Sequence, residues 1–166
     1  MMRTRLSGVA MTEIELAYDW LGGRLRAIGP IVITYDRMGS RPRLLGSWEL
    51  DYDTMGSRLR SIAGAVIEYD RFGWRPRTLD TWVLDYDRLG SRLRRIGPYE
   101  LTYDRLGSRM RTLGPMSVSY DRLGNRPRKV AIDGDALTDA ELVALFFVLY
   151  EIEREESRRS SSSSSS

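Results

Sequence analysis

The dipeptide Tyr-Asp occurs at Tyr18, Tyr35, Tyr52, Tyr69, Tyr86, Tyr103 and Tyr120, and every step between copies is 17 residues. No insertion breaks the register, so the chain is constrained to fold as a row of equivalent units. The Asp column is Asp19, Asp36, Asp53, Asp70, Asp87, Asp104 and Asp121. A glycine follows three residues later, at Gly22, Gly39, Gly56, Gly73, Gly90, Gly107 and Gly124. Two arginines then stand at alternate positions: Arg24 and Arg26, Arg41 and Arg43, Arg58 and Arg60, Arg75 and Arg77, Arg92 and Arg94, Arg109 and Arg111, Arg126 and Arg128.

Each unit reads as a β-hairpin. The segment before the Asp, such as Ile31 to Tyr35, is rich in β-branched and aromatic residues, and the segment after the Gly, such as Arg92 to Ile96, alternates. Asp-x-x-Gly suits a type I turn with the Gly in the left-handed conformation. Units join through Gly-Pro, Gly-Ser, Ala-Gly or Asp-Thr pairs, all turn chemistry. The expected fold is mainly β: a meander of about 14 strands, each about 5–6 residues, as an open curled sheet or a barrel, with one C-terminal helix. A solenoid with one coil per unit is disfavoured, because it would stack Arg on Arg and Asp on Asp.

The hairpin register stays open at this level. A three-residue bulged loop sets the Arg columns opposite Tyr and the preceding aliphatic; a two-residue loop slips the register by one and sets Asp against Arg. Guanidinium on phenol is favourable in the first arrangement. Pro42, Pro76 and Pro127 fall in the second strand, which then donates fewer ladder hydrogen bonds.

After Val130 the pattern stops. Thr138 to Glu141 forms a capping box, and the helix it opens is expected to run to about Glu155. Leu142 to Tyr150 is apolar throughout, so this helix must be buried, whether by its own sheet or by a partner. The expected organisation is an N-terminal extension (1–12), the repeat domain (13–131), the apolar helix (132–156) and a disordered serine tail (157–166).

Composition narrows the chemistry. The chain has no Cys and no His, which removes thiolate nucleophiles, disulfides, His-based triads and Cys/His zinc sites. No apolar run approaches the ~20 residues that span a bilayer, and the first residues lack a secretory h-region. A cytoplasmic location is therefore expected, with no cofactor. Residues 13–131 carry 21 basic and 15 acidic side chains, net +6, and residues 132–166 carry 3 and 8, net −5.

The pieces Tyr103-Asp-Arg-Leu-Gly-Ser-Arg109 and Tyr120-Asp-Arg-Leu-Gly-Asn-Arg126 resemble the core of YD repeats, found in Rhs proteins, Tc-toxin shells and teneurins. The likeness covers about residues 13–131. It implies hairpins with Tyr in the first strand and with Asp and Gly bracketing the turn. In that family such hairpins coil into hollow shells that often enclose a toxin. Here the unit is shorter, seven units are few for a cocoon, and no toxin domain or autoproteolytic signature follows. The resemblance therefore extends to local structure and not to shell function.

A periodic chain without a singular site points to a structural or interaction protein, non-enzymatic, that assembles through sheet edges or through the 138–155 helix, with itself or with another protein. A second class is a module whose Arg/Tyr rows bind polyanions, single-stranded nucleic acid or glycans; its binding residues are the fourteen repeated arginines. Enzyme chemistry has little to work with. Asp51/Asp53 and Asp85/Asp87 are carboxylate pairs, yet each includes the turn Asp. Trp20, Trp48, Trp74 and Trp82 break the consensus and are expected to fill core or turn positions.

Overall fold

The structure is a computed structural model, and it describes residues 4–6, 9–20, 23–37, 41–53, 58–71, 75–88, 92–105, 109–121 and 126–164. It contains β1 (Thr4–Leu6), β2 (Val9–Tyr18), β3 (Leu25–Ile28), β4 (Ile31–Tyr35), β5 (Pro42–Leu45), β6 (Trp48–Tyr52), β7 (Leu59–Ile62) and β8 (Ala65–Tyr69). These continue as β9 (Pro76–Leu79), β10 (Trp82–Tyr86), β11 (Leu93–Ile96), β12 (Tyr99–Tyr103), β13 (Met110–Leu113), β14 (Met116–Tyr120), β15 (Pro127–Asp133) and α1 (Asp139–Ser164). The seven turn glycines from Gly22 to Gly124 lie outside the described residues, as does Trp74.

Strands β2 to β15 form an antiparallel meander closed into a barrel. Neighbours in sequence are neighbours in space, and β2 pairs with both β3 and β15. The closing ladder is long, from Lys129↔Glu15 to Asp133↔Met11. Closure joins the two terminal edges that an open meander would expose, so assembly through those edges loses its basis within β2–β15. Strand β2 starts at Val9 because its first residues pair with β1, so regular structure reaches into the stretch expected to be an extension. At the other end α1 continues past Glu155 to Ser164; serine costs a helix only a fraction of a kcal/mol per residue. Its start is the expected box, with Glu141 N–H donating to Thr138 Oγ1 at 3.1 Å and Thr138 N–H donating to Glu141 Oε1 at 2.8 Å.

The register follows neither simple loop. In every hairpin the Tyr pairs with the residue between the two arginines, as in Tyr35↔Pro42 and Tyr86↔Leu93, while the residue before it pairs two positions further on. The second strand thus carries one extra residue, the second Arg, as a β-bulge. The Asp closes the loop against the first Arg: Asp36 N–H donates to the Arg41 carbonyl at 2.9 Å, and the same bond recurs in all seven units. Four residues lie between them, so Asp faces Arg as in the slipped register, but through a longer loop. Pro42, Pro76 and Pro127 each stand at the first position of their strand, where proline is tolerated.

The inward face is a double belt of aliphatics set opposite one another, such as Leu16↔Ile28, Ile33↔Leu45 and Leu50↔Ile62. Ile28, Leu45, Ile62, Leu79, Ile96, Leu113 and Val130 are all buried. Each contributes about 1.5–3 kcal/mol on burial. In α1, Leu142 and Ala144 to Leu149 are buried.

The turns between units place their first residue at positive φ: Gly29, Gly46, Gly97 and Gly114, but also Ala63 (52°) and Asp80 (56°). A side chain of the preceding unit packs over several of these turns. A Cβ at Gly97 would lie 2.4 Å from Cγ of Trp82, and one at Gly114 would lie 2.5 Å from Cδ1 of Tyr99. Trp82 and Tyr99 also meet edge to face, with ring centroids 5.6 Å apart. Gly64, at φ 86°, has nothing within 4 Å of its Cβ position. We expect Gly64→Ala to cost only the left-handed backbone penalty, about 1–2 kcal/mol, and Gly97→Ala to cost about 1–3 kcal/mol more through overpacking. Urea denaturation checks this, and the extra cost at Gly97 should shrink when Trp82→Ala is also present.

Candidate interaction surface at the hairpin-loop rim

Successive hairpins are tied at the loop end of the barrel by one repeated link. The strand ladder between units stops early, at Ala27↔Val32 for β3 and β4, leaving the Leu25 carbonyl beyond it. Tyr35 Oη donates to that carbonyl at 2.6 Å. The same bond joins Tyr52 to Pro42, Tyr69 to Leu59, Tyr86 to Pro76, Tyr103 to Leu93 and Tyr120 to Met110, all at 2.6–2.7 Å. Tyr18 donates to Pro127 at 2.7 Å, which closes the series.

The first Arg of each unit covers the ring of the next unit's Tyr. Arg24 lies 4.2 Å from the Tyr35 centroid, and the remaining contacts, including Arg126 over Tyr18, fall between 4.3 and 5.0 Å. The guanidinium is held by the carboxylate of its own hairpin, at 2.6 Å for Arg24–Asp19, 3.0 Å for Arg41–Asp36 and 2.8 Å for Arg58–Asp53. Longer contacts of 3.6 and 3.3 Å join Arg92–Asp87 and Arg109–Asp104. These partly exposed ion pairs contribute little singly. Their role is to orient a cation whose π contact is worth about 0.5–1 kcal/mol.

The two Arg columns therefore have different environments. The first is spent on Asp and Tyr. The second (Arg26, Arg43, Arg60, Arg77, Arg94, Arg111, Arg128) is exposed in every unit. Arg26 and Arg128 reach Asp19 and Asp121 at 3.4 and 3.0 Å. Arg37, Arg71, Arg88 and Arg105 are also exposed at the loops and lie outside the fourteen arginines expected to bind. Their signal was available, because Arg follows the Asp in five of seven units. Trp20 takes that position in the first unit; it stands in the turn, as one of the two expected places, but is 95% exposed and so is not part of the core.

Neither carboxylate pair forms a separate centre. Asp53 serves the loop with Arg58, while Asp51 accepts from Ser61 Oγ at 3.1 Å. Among the described residues no group of three or more acidic side chains comes together as a metal site. Among the described residues no helix is long and apolar enough to cross a membrane. No known family profile, curated protein or solved structure matches the chain.

Burial raises the hydroxyls of Tyr103 and Tyr120 to about 12, against the opposing pull of Arg92 and Arg109. Between pH 10 and 12 the unfolded chain has lost these protons and the folded chain keeps them, so stability falls as pH rises through that window. Urea midpoints at pH 9, 10, 11 and 12 should decline above pH 10. The decline should be shallower in the Tyr103→Phe/Tyr120→Phe variant; an equal slope contradicts the assignment.

Proposed function

We propose that this chain is a non-enzymatic interaction scaffold: a ring of equivalent hairpins that presents one regular surface, the second Arg column. The observation that carries this reading is the division of labour between the arginines. In every unit Tyr and the first Arg hold neighbouring hairpins together, whereas the second Arg stands exposed on a bulge, reaching the repeat Asp as well at Asp19 and Asp121. Among the described residues no unit departs from the pattern in a way that would concentrate chemistry at one place. The YD-like hairpins support the same class, since their repeated residues are architectural.

Binding of polyanions is the second reading, and the exposed arginines favour it. The tyrosines do not, because each already carries a guanidinium on its face. A stacking platform for free bases is thereby disfavoured.

The test is to replace Arg43, Arg60, Arg77, Arg94 and Arg111 together by Gln. A presented surface predicts a melting temperature within about 2 °C of the parent, as for exposed positions generally. A drop of about 10 °C or more, beyond the range of several small surface effects, would show that these arginines hold the fold and that the scaffold presents nothing through them.

A further inference from the structure

Charge within the barrel is sorted by end. The loop segments running from each Asp to its second Arg hold, among the described residues, 18 Arg and 7 Asp, net +11. The rest of residues 13–131 holds 8 acidic residues, from Glu13 to Glu100, against Arg95 and Lys129, net −6. Up-and-down topology puts all seven loop segments at one end and the inter-unit turns at the other. A modestly positive total thus conceals a strongly cationic rim over an acidic wall.

This rim is level. Equivalent registers repeat in all seven hairpins, and the Tyr18–Pro127 bond that closes the ring matches the other six in partners and length. A spiral would leave a step at the seam; none occurs there. Fourteen strands at about 4.8 Å, tilted ~35–45° to the axis as closure requires, make a ring ~80–95 Å round, with one cationic group every ~12–14 Å. From these features we propose that the loop rim docks on an anionic lipid surface. This rests on the scaffold reading and names its partner.

Three physical arguments favour a lipid surface over nucleic acid. A ring whose described base is level offers its arginines from every unit to a flat charged surface at once, and each Arg near such a surface adds a similar increment. Duplex DNA, with a persistence length of ~150 bp, cannot follow so tight a circle. A single strand is flexible enough, but the tyrosine faces it would stack on are occupied by Arg24 and its equivalents. Trp20, almost fully exposed at the same rim, is the side chain enriched at membrane–water interfaces. The strands β3 to β14, four or five residues each, are shorter than the ~9–11 that span a bilayer, so contact is with the surface.

Vesicle co-sedimentation of the full chain tests this. We expect pelleting with phosphatidylcholine–phosphatidylserine vesicles at about 0.1 M salt and release near 1 M. Phosphatidylcholine alone should not pellet the protein. The five-Arg→Gln variant should partition at least about a hundredfold more weakly, and Trp20→Ala should weaken binding further. No pelleting with phosphatidylserine, or equal pelleting with both compositions, overturns the proposal. So does binding of a single-stranded oligonucleotide without vesicle binding. The parent's salt and lipid dependence decide the matter even if a variant misfolds. Vesicle binding lost with an unchanged melting temperature supports the rim; a parent that never binds removes the lipid partner while leaving the scaffold reading to its own melting test.

Discussion

Everything in the barrel depends on how one hairpin grips the next. Strand pairing alone is short: between units only a few residues are laddered before the bulge interrupts. The tyrosine hydroxyl takes the carbonyl that the ladder leaves over, and the arginine of the earlier hairpin lies on that tyrosine's ring. A neutral hydrogen bond of this kind contributes about 1 kcal/mol net, and the cation–π contact about 0.5–1. Seven repetitions of both reach the order of a whole domain's net stability, ~5–15 kcal/mol. Burial of the aliphatic belt drives collapse, but it is non-directional. The link decides which face turns inward and how neighbouring hairpins sit.

Closure is the consequence. A link that recurs without variation carries each hairpin through the same rotation, so a chain of them returns to its start after a fixed number. Here the number is seven, and Arg126 meets Tyr18 as Arg24 meets Tyr35. The long β2–β15 ladder then fastens the seam with more strand pairing than any other junction. Closure also bears on the proposed function, because it removes the terminal edges of the meander within β2–β15.

Much of this was legible in the sequence because local chemistry and period agree. Tyr-Asp at 17-residue steps, β-branched first strands and paired turn residues specify hairpins, and Thr138 with Glu141 specifies the helix start. Register was not legible. Arg24 and Arg26 have the alternate spacing of residues sharing one face of a regular strand, yet the bulge sends the second outward while the first lies on a ring. A bulge inserts a residue without leaving a compositional mark. Closure was equally hidden, since it depends on the summed angle of seven junctions. Trp20 misled for a different reason: a large aromatic suggests burial, but it occupies a column that is Arg in most units, and the column sets its exposure.

The central claim is that β2 and β15 are neighbours in a ring. The chain has no cysteine, so a pair introduced across the seam reports directly. Glu13 and Ala131 stand opposite each other in the closing ladder, and directly opposed strand residues lie about 4.5–5.5 Å apart at Cα, within disulfide range. Glu13→Cys with Ala131→Cys should form an intramolecular disulfide under mild oxidation at low protein concentration, seen as a reducible shift in gel mobility. Free thiols in the folded monomer, or only intermolecular crosslinks, would contradict a closed barrel.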